Sequence, residues 1–188
     1  MLRIGSLFSG AGGLDLAVEQ VFEAITVWQC ESERAPSLVL AKRFGVPNLG
    51  DITKVNWHDV PPIDILCGGF PCQDLSSAGR KAGIAAGTRS GLWSYFAEAI
   101  DILRPRAVVI ENVRGILSGK AVRTSDVEPD STVVGTGLRA AGAVLGDLAD
   151  LGYDAQWTTI GASDVGAPHQ RKRVIFLAYP SDAGSAGR

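Results

Sequence analysis

Short apolar runs alternate with segments of helical periodicity along this chain, and the alternation limits its fold more than any other property. Leu2 to Phe8 reads as a strand, and Leu14, Leu16, Ala17, Val18 and Val21 follow at helical spacing. Ala24 to Cys30 reads as a second strand, then Pro36 and Leu38 to Phe44 as a helix closed by Gly45. Val46 to Leu49 is expected to be a short third strand and Ile63 to Cys67 a fourth. Leu92, Phe96, Ile100 and Leu103 mark a helix face that Pro105 ends. Ala107 to Ile110 is a fifth strand, apolar throughout and so expected to be buried on both faces. A helix over Leu138 to Leu151 precedes strands over Tyr153 to Ile160 and Val174 to Tyr179, which a tight connection is expected to join. This order predicts an α/β fold: a doubly wound, mostly parallel sheet with a C-terminal antiparallel strand pair. The 188 residues suffice for one domain, placed at 1–180, with a flexible loop over 118–136 and an unstructured tail over 181–188.

In such a sheet the C-terminal ends of the parallel strands share one edge, where ligands bind. The residues with chemical potential fall on that edge. Gly10 to Gly13 follow strand one, Glu31 strand two, Asp51 strand three, Cys72 strand four and Glu111 strand five. A nucleoside-bearing cofactor would sit over the first three strands and the chemistry over the next two. The last strands would return Arg171 and Arg173 beside them. Alternatives stand at each position. One of Glu31 and Glu33 takes ribose hydroxyls and the other starts a helix. Asp51 accepts from an amine or caps a turn. Glu111 caps a turn or serves as an acid at a partly desolvated strand end.

The stretch around Cys72 is the most specific. Gly68 and Gly69 break the fourth strand, and Pro71 has no N–H with which to continue it. Cys72 then stands in a loop with Gln73, Asp74, Ser76, Ser77, Arg80 and Lys81, and Arg89 follows. It is either a small hydrophobe filling that loop or a nucleophile. The net charge of −2 excludes a strongly basic, non-specific nucleic-acid binder. The three cysteines form no Cys-x-x-Cys, and the two histidines lie at no zinc-like spacing, so no metal is expected. An odd cysteine count, an apolar start too short for a signal peptide and the lack of a membrane-length run predict a reduced, cytoplasmic location with no membrane partner.

Four motifs together resemble the cytosine-C5 DNA methyltransferases. Phe8-Ser-Gly-Ala-Gly-Gly-Leu-Asp15 is similar to the cofactor turn and Gly69-Phe-Pro-Cys-Gln73 to the nucleophile loop. Glu111-Asn-Val113 is similar to the acidic motif and Gln170-Arg-Lys-Arg-Val174 to the arginine motif. The resemblance covers nearly the whole chain and implies an S-adenosylmethionine-dependent methyltransferase of Rossmann-like type acting on double-stranded DNA. It implies that Phe8, Gly10, Gly12, Gly13 and Pro71 surround the cofactor. Glu31 would hold its ribose, Asp51 and Ile52 its adenine, and Leu92 would pack from the far side. Cys72 would add to carbon 6 of a flipped cytosine, Glu111 would hold the base, and Arg171 and Arg173 would steady base and thiolate. The loop bearing Gln73, Ser76, Arg80, Lys81 and Arg89 would close over the DNA. His169 stands where the family often has Gln. The family's target-recognition region and C-terminal motifs are missing from the sequence. The chain is therefore expected to be truncated, or one half of a split enzyme with a second polypeptide as partner, and to methylate little alone. A non-catalytic remnant, an RNA-directed relative and a nicotinamide-dependent oxidoreductase are the competing classes.

Overall fold

The computed structural model describes residues 1–71, 91–119 and 139–181. Its centre is one sheet of β1 (Leu2–Leu7), β2 (Ala24–Cys30), β3 (Ile65–Gly68), β4 (Ala107–Val113), β5 (Tyr153–Ile160) and β6 (Arg173–Pro180), in the order β2-β1-β3-β4-β6-β5. Strands β2, β1, β3 and β4 pair in parallel, and β6 runs antiparallel to both of its neighbours. The α-helices are α1 (Gly13–Phe22), α2 (Arg34–Arg43), α3 (Leu92–Leu103) and α4 (Ala140–Asp150). None of the described helices is long and apolar enough to cross a membrane.

Helices α3 and α4 bury Phe96, Ile100, Val144 and Leu148 against Val108, Ile110, Val174 and Phe176 on one face of the sheet. The opposite face gathers Ile4, Ile65, Cys67 and Val109 under Val18 of α1. Among the described residues α1 is the only helix in that second cluster, and Ala107, Ile175 and Leu177 at its margin are only partly buried. β1 meets β2 closely because Gly5 has no side chain. A Cβ there would lie 2.1 Å from Cζ2 of Trp28. Trp28 is fully buried, with its indole N–H donating to the Pro61 carbonyl at 3.1 Å, so it has little room to yield. Gly5→Ala is expected to destabilise the protein by about 1–3 kcal/mol through overpacking. Chemical denaturation measures this as a lower midpoint with an unchanged slope.

The structure corrects four expectations. Val46 to Leu49 forms no strand, only a single bridge between Gln29 and Asn48. Pro47 has no N–H for a ladder, and the Asn48 side chain substitutes for one. Its Oδ1 accepts from the Glu31 N–H at 2.9 Å, and its Nδ2 donates to the Glu31 carbonyl at 3.0 Å. The strands expected as fourth and fifth are therefore β3 and β4. Glu111 lies within β4 rather than after it, because β6 extends the pairing past the apolar run and sets Glu111 opposite Ile175. The β5–β6 connection is not tight. It contains a 3-10 turn at Ala162–Val165, ended by Gly166 at φ 87°. Residues 120–136 and 182–188 of the expected loop and tail lie outside the described residues. Ser181, assigned to that tail, donates its N–H to the Gly152 carbonyl at 2.9 Å.

Candidate active site

β1 ends at Leu7, and the chain turns through Phe8 (φ 51°) and Gly10 (φ 54°) to Gly12 (φ 78°), the N-cap of α1. The Gly10 N–H donates to Oε2 of Glu31 at 2.8 Å, and the Glu33 N–H donates to Oε1 of the same carboxylate at 2.8 Å. Glu31 thus joins the glycine turn to the start of α2, and each oxygen can accept a further hydrogen bond. Glu33 takes the N-cap position of α2 without a side-chain bond.

These elements enclose a cleft of about 520 Å³. Phe8, Gly10, Glu31, Asp51, Ile52, Pro71 and Leu92 are among the residues that line it. Gly12 and Gly13 do not line it. Gly12 is needed elsewhere: its φ is positive, and a Cβ there would lie 2.3 Å from the Phe44 ring at the end of α2. Asp51 caps a turn. Its Oδ1 accepts from the Thr53 N–H at 3.1 Å and hydroxyl at 2.9 Å, which hold its carboxyl below the usual range. Cys30 also lines the cleft, and its thiol donates to the Gly50 carbonyl at 3.1 Å.

A second cavity, of about 480 Å³, lies beside the first. Glu111, Arg171, Gly13 and Asp15 line it, and Phe8, Gly10 and Gly69 border both spaces. Oε1 of Glu111 pairs with Nε of Arg173 at 2.5 Å, with both side chains about three-quarters buried or a little less. Gly69 lets β3 approach this carboxylate, since a Cβ there would fall 3.0 Å from Oε2 of Glu111. The neighbouring Asn112 is buried and donates from Nδ2 to the Phe70 carbonyl at 3.0 Å. Phe70 itself packs on Trp93, ring centroids 5.2 Å apart. The backbone that leads into residue 72 is therefore tied to β4 by one hydrogen bond and to α3 by ring contacts with Trp93 and Phe96. Cys72, Gln73, Ser76, Arg80, Lys81 and Arg89 lie outside the described residues.

The sequence profile of the C-5 cytosine-specific DNA methylases matches residues 2–185. The chain belongs to this family. A similar relative is the Type II methyltransferase M1.ScrFI of Lactococcus lactis subsp. cremoris, 32% identical over 173 residues, which are 92% of this chain and 40% of the relative. The Type II methyltransferase M2.BsuMI of Bacillus subtilis (strain 168) is 35% identical over 185 residues, 94% of this chain and 42% of the relative. The chain thus spans about two-fifths of the length of the curated relatives it matches. The crystal structure of the S. pombe Dnmt2 methyltransferase shares the fold at a TM-score of 0.68 and 19% identity, covering 96% of this chain and 50% of its own. A DNMT2 variant of Spodoptera frugiperda matches at 0.65 and 19%, covering 97% and 51%.

In this methylase chain, motif reading missed the tether from Asn112 to Phe70. The available signal was an amide following an apolar strand, since a buried amide requires partners. It also missed Asn48, which anchors Glu31 from behind. Glu31→Ala removes the acceptor of two charge-assisted bonds to backbone N–H groups. It is expected to weaken binding of S-adenosylhomocysteine roughly ten- to a hundredfold, measured by calorimetry.

Proposed function

We propose that this chain supplies the cofactor site and catalytic groups for transfer of a methyl group from S-adenosylmethionine to carbon 5 of cytosine in double-stranded DNA. One observation carries the reading: the cleft beside Glu31 and the cavity beside Glu111 meet at Phe8, Gly10 and Gly69. A donor in the first and a base in the second would be separated by one thickness of chain. The residues fit the donor. Phe8, Ile52 and Leu92 offer apolar walls to a purine, and the Glu31 carboxylate offers lone pairs to ribose hydroxyls. When bound, the cofactor would supply an electrophilic methyl group on a sulfonium.

The chain's own groups then act on the base. The Cys72 thiolate adds to carbon 6, and the electron pair of the 5,6 double bond makes carbon 5 nucleophilic. Glu111 holds the ring nitrogen N3 and the amino group N4, supporting protonation at N3 as the addition proceeds. Arg173, paired with Glu111, fixes the direction of that carboxylate, and Arg171 faces the same cavity. After carbon 5 is methylated it loses its proton to solvent base, the double bond re-forms and the Cys72 thiolate leaves. The base must be extruded from the duplex to enter this cavity. Gln73, Ser76, Arg80, Lys81 and Arg89 would contact the DNA backbone.

A second polypeptide, or further chain, would complete the enzyme. The partly buried apolar side chains of Ala107 on β4 and of Ile175 and Leu177 on β6, together with the share of the relatives' length, support this. The test is transfer of labelled methyl groups to duplex DNA, to RNA and to no acceptor, by the chain alone and with a polypeptide carrying the remaining family motifs. Site-specific transfer to DNA is expected only in the mixture. Robust transfer by the chain alone would overturn the need for a partner, and transfer to RNA only would overturn the substrate.

A further inference from the structure

Beneath the glycine turn lies a polar pair that the reaction above does not use. Asp15, in the first turn of α1, and Gln29, near the end of β2, are both fully buried. Oδ1 of Asp15 accepts from Nε2 of Gln29 at 2.8 Å. Oδ2 of Asp15 and Oε1 of Gln29 are buried and have no hydrogen-bond partner. With Asp15 ionised, both of these orphans are acceptors and neither can satisfy the other. Buried oxygens rarely remain in that state.

A single proton removes both deficits. A carboxylic acid and a primary amide each present one donor and one acceptor along one edge, so Oδ2–H can donate to Oε1 while Nε2–H donates to Oδ1. We infer that Asp15 is held as a neutral acid doubly bonded to Gln29, and that this pair is the device that positions the glycine turn of the proposed cofactor site. The groups around it agree. Glu19 on α1 adds a like charge, β1 offers only the hydroxyl of Ser6, to which the Ser9 hydroxyl of the following turn donates at 2.8 Å, and β3 contributes the thiol of Cys67. Glu111 from β4 and the cation of Arg171 line the adjoining cavity. Burial pushes the Asp15 carboxyl above the usual range, against the pull of the Gln29 amide and the nearby Ser6 hydroxyl.

The placement gives the pair its role. Asp15 is two residues past Gly13, and Gln29 is two residues before Glu31. The Gly10–Glu31 bond closes the turn on the cleft side, and the Asp15–Gln29 pair closes it from below. Because the group is stabilised in its protonated form, its contribution is complete at low pH and disappears as pH rises through its raised folded value.

The experiment uses the full 188-residue chain. Carbon-13 spectra of aspartate-labelled protein, with Asp15→Asn for assignment, read the protonation state directly. A neutral Asp15 at pH 7 that ionises only in alkali is expected, and an ionised one at pH 7 overturns the pair. Asp15→Asn keeps both bonds, since its amide N–H replaces the acid O–H. It is expected to bind S-adenosylhomocysteine within about twofold of wild type at pH 7 and to lack the wild type's alkaline loss of affinity. Asp15→Leu is expected to bind at least about fivefold more weakly. Equal alkaline loss in wild type and Asp15→Asn, or full affinity in Asp15→Leu, would overturn the positioning role. Should wild type itself not bind the analogue, the cofactor reading and the positioning role fall together, while the carbon-13 titration still decides the pair.

Discussion

Replacing Cys72 by alanine is expected to reduce methyl transfer by roughly 10⁴-fold or more in any assembly that contains this chain. Carbon 5 of cytosine is a poor nucleophile until a thiolate adds at carbon 6, so the variant lacks the step that makes the base reactive. No other cysteine can substitute. Cys30 is 2% exposed, bonded to the Gly50 carbonyl, and burial pushes its thiol up to about 12. Cys67 is fully buried in β3, and burial pushes it higher still. Both remain inert thiols at neutral pH. The measurement is labelled-methyl transfer, together with capture on a duplex containing 5-fluorocytosine, which has no proton at carbon 5 to lose. Wild type should form a complex that survives denaturation, and the alanine variant should form none. A variant that retains a tenth of the activity, or still forms the complex, would refute Cys72 as nucleophile.

Glu111→Gln is expected to slow methyl transfer by about 10²- to 10⁴-fold while leaving cofactor affinity within about twofold. The amide can still accept from the base but cannot support protonation at N3. It also leaves Arg173 without its ion partner. Glu111 lines the cavity with Arg171 and not the cleft with Glu31, so binding and chemistry should separate. The check is a fall in kcat with an unchanged Kd for S-adenosylhomocysteine. A parallel loss of cofactor binding would mean that Glu111 supports the turn at Gly69 instead of acting on the base.

The parts of the fold legible in sequence were those set by local pattern. Ala24 to Cys30 and the helix from Leu92 to Leu103 are seen at their expected bounds, because each buries apolar side chains in the core, and Tyr153 to Ile160 is seen at its bounds although only Tyr153 is buried. The failures arise where distant partners decide. Val46 to Leu49 is apolar enough for a strand, yet Pro47 and the Asn48 side chain settle its pairing. β4 outruns its apolar stretch because β6 lies beside it, and no periodicity within β4 reports that. At the site, Gly10 was recognisable from the turn itself, whereas the demand on Gly12 comes from Phe44, more than thirty residues away. The Asp15–Gln29 contact joins a helix to a strand and leaves no trace in either one's spacing.

The wall formed by Phe8, Gly10 and Gly69 has a pharmacological consequence. A nucleoside in one hollow and a pyrimidine in the other would need only a short linker to become a single compound. Its second half would bind at the high effective concentration set by that linker, so its affinity should far exceed that of either fragment. Linker length, varied an atom at a time, would then serve as a ruler for the path a methyl group must cross.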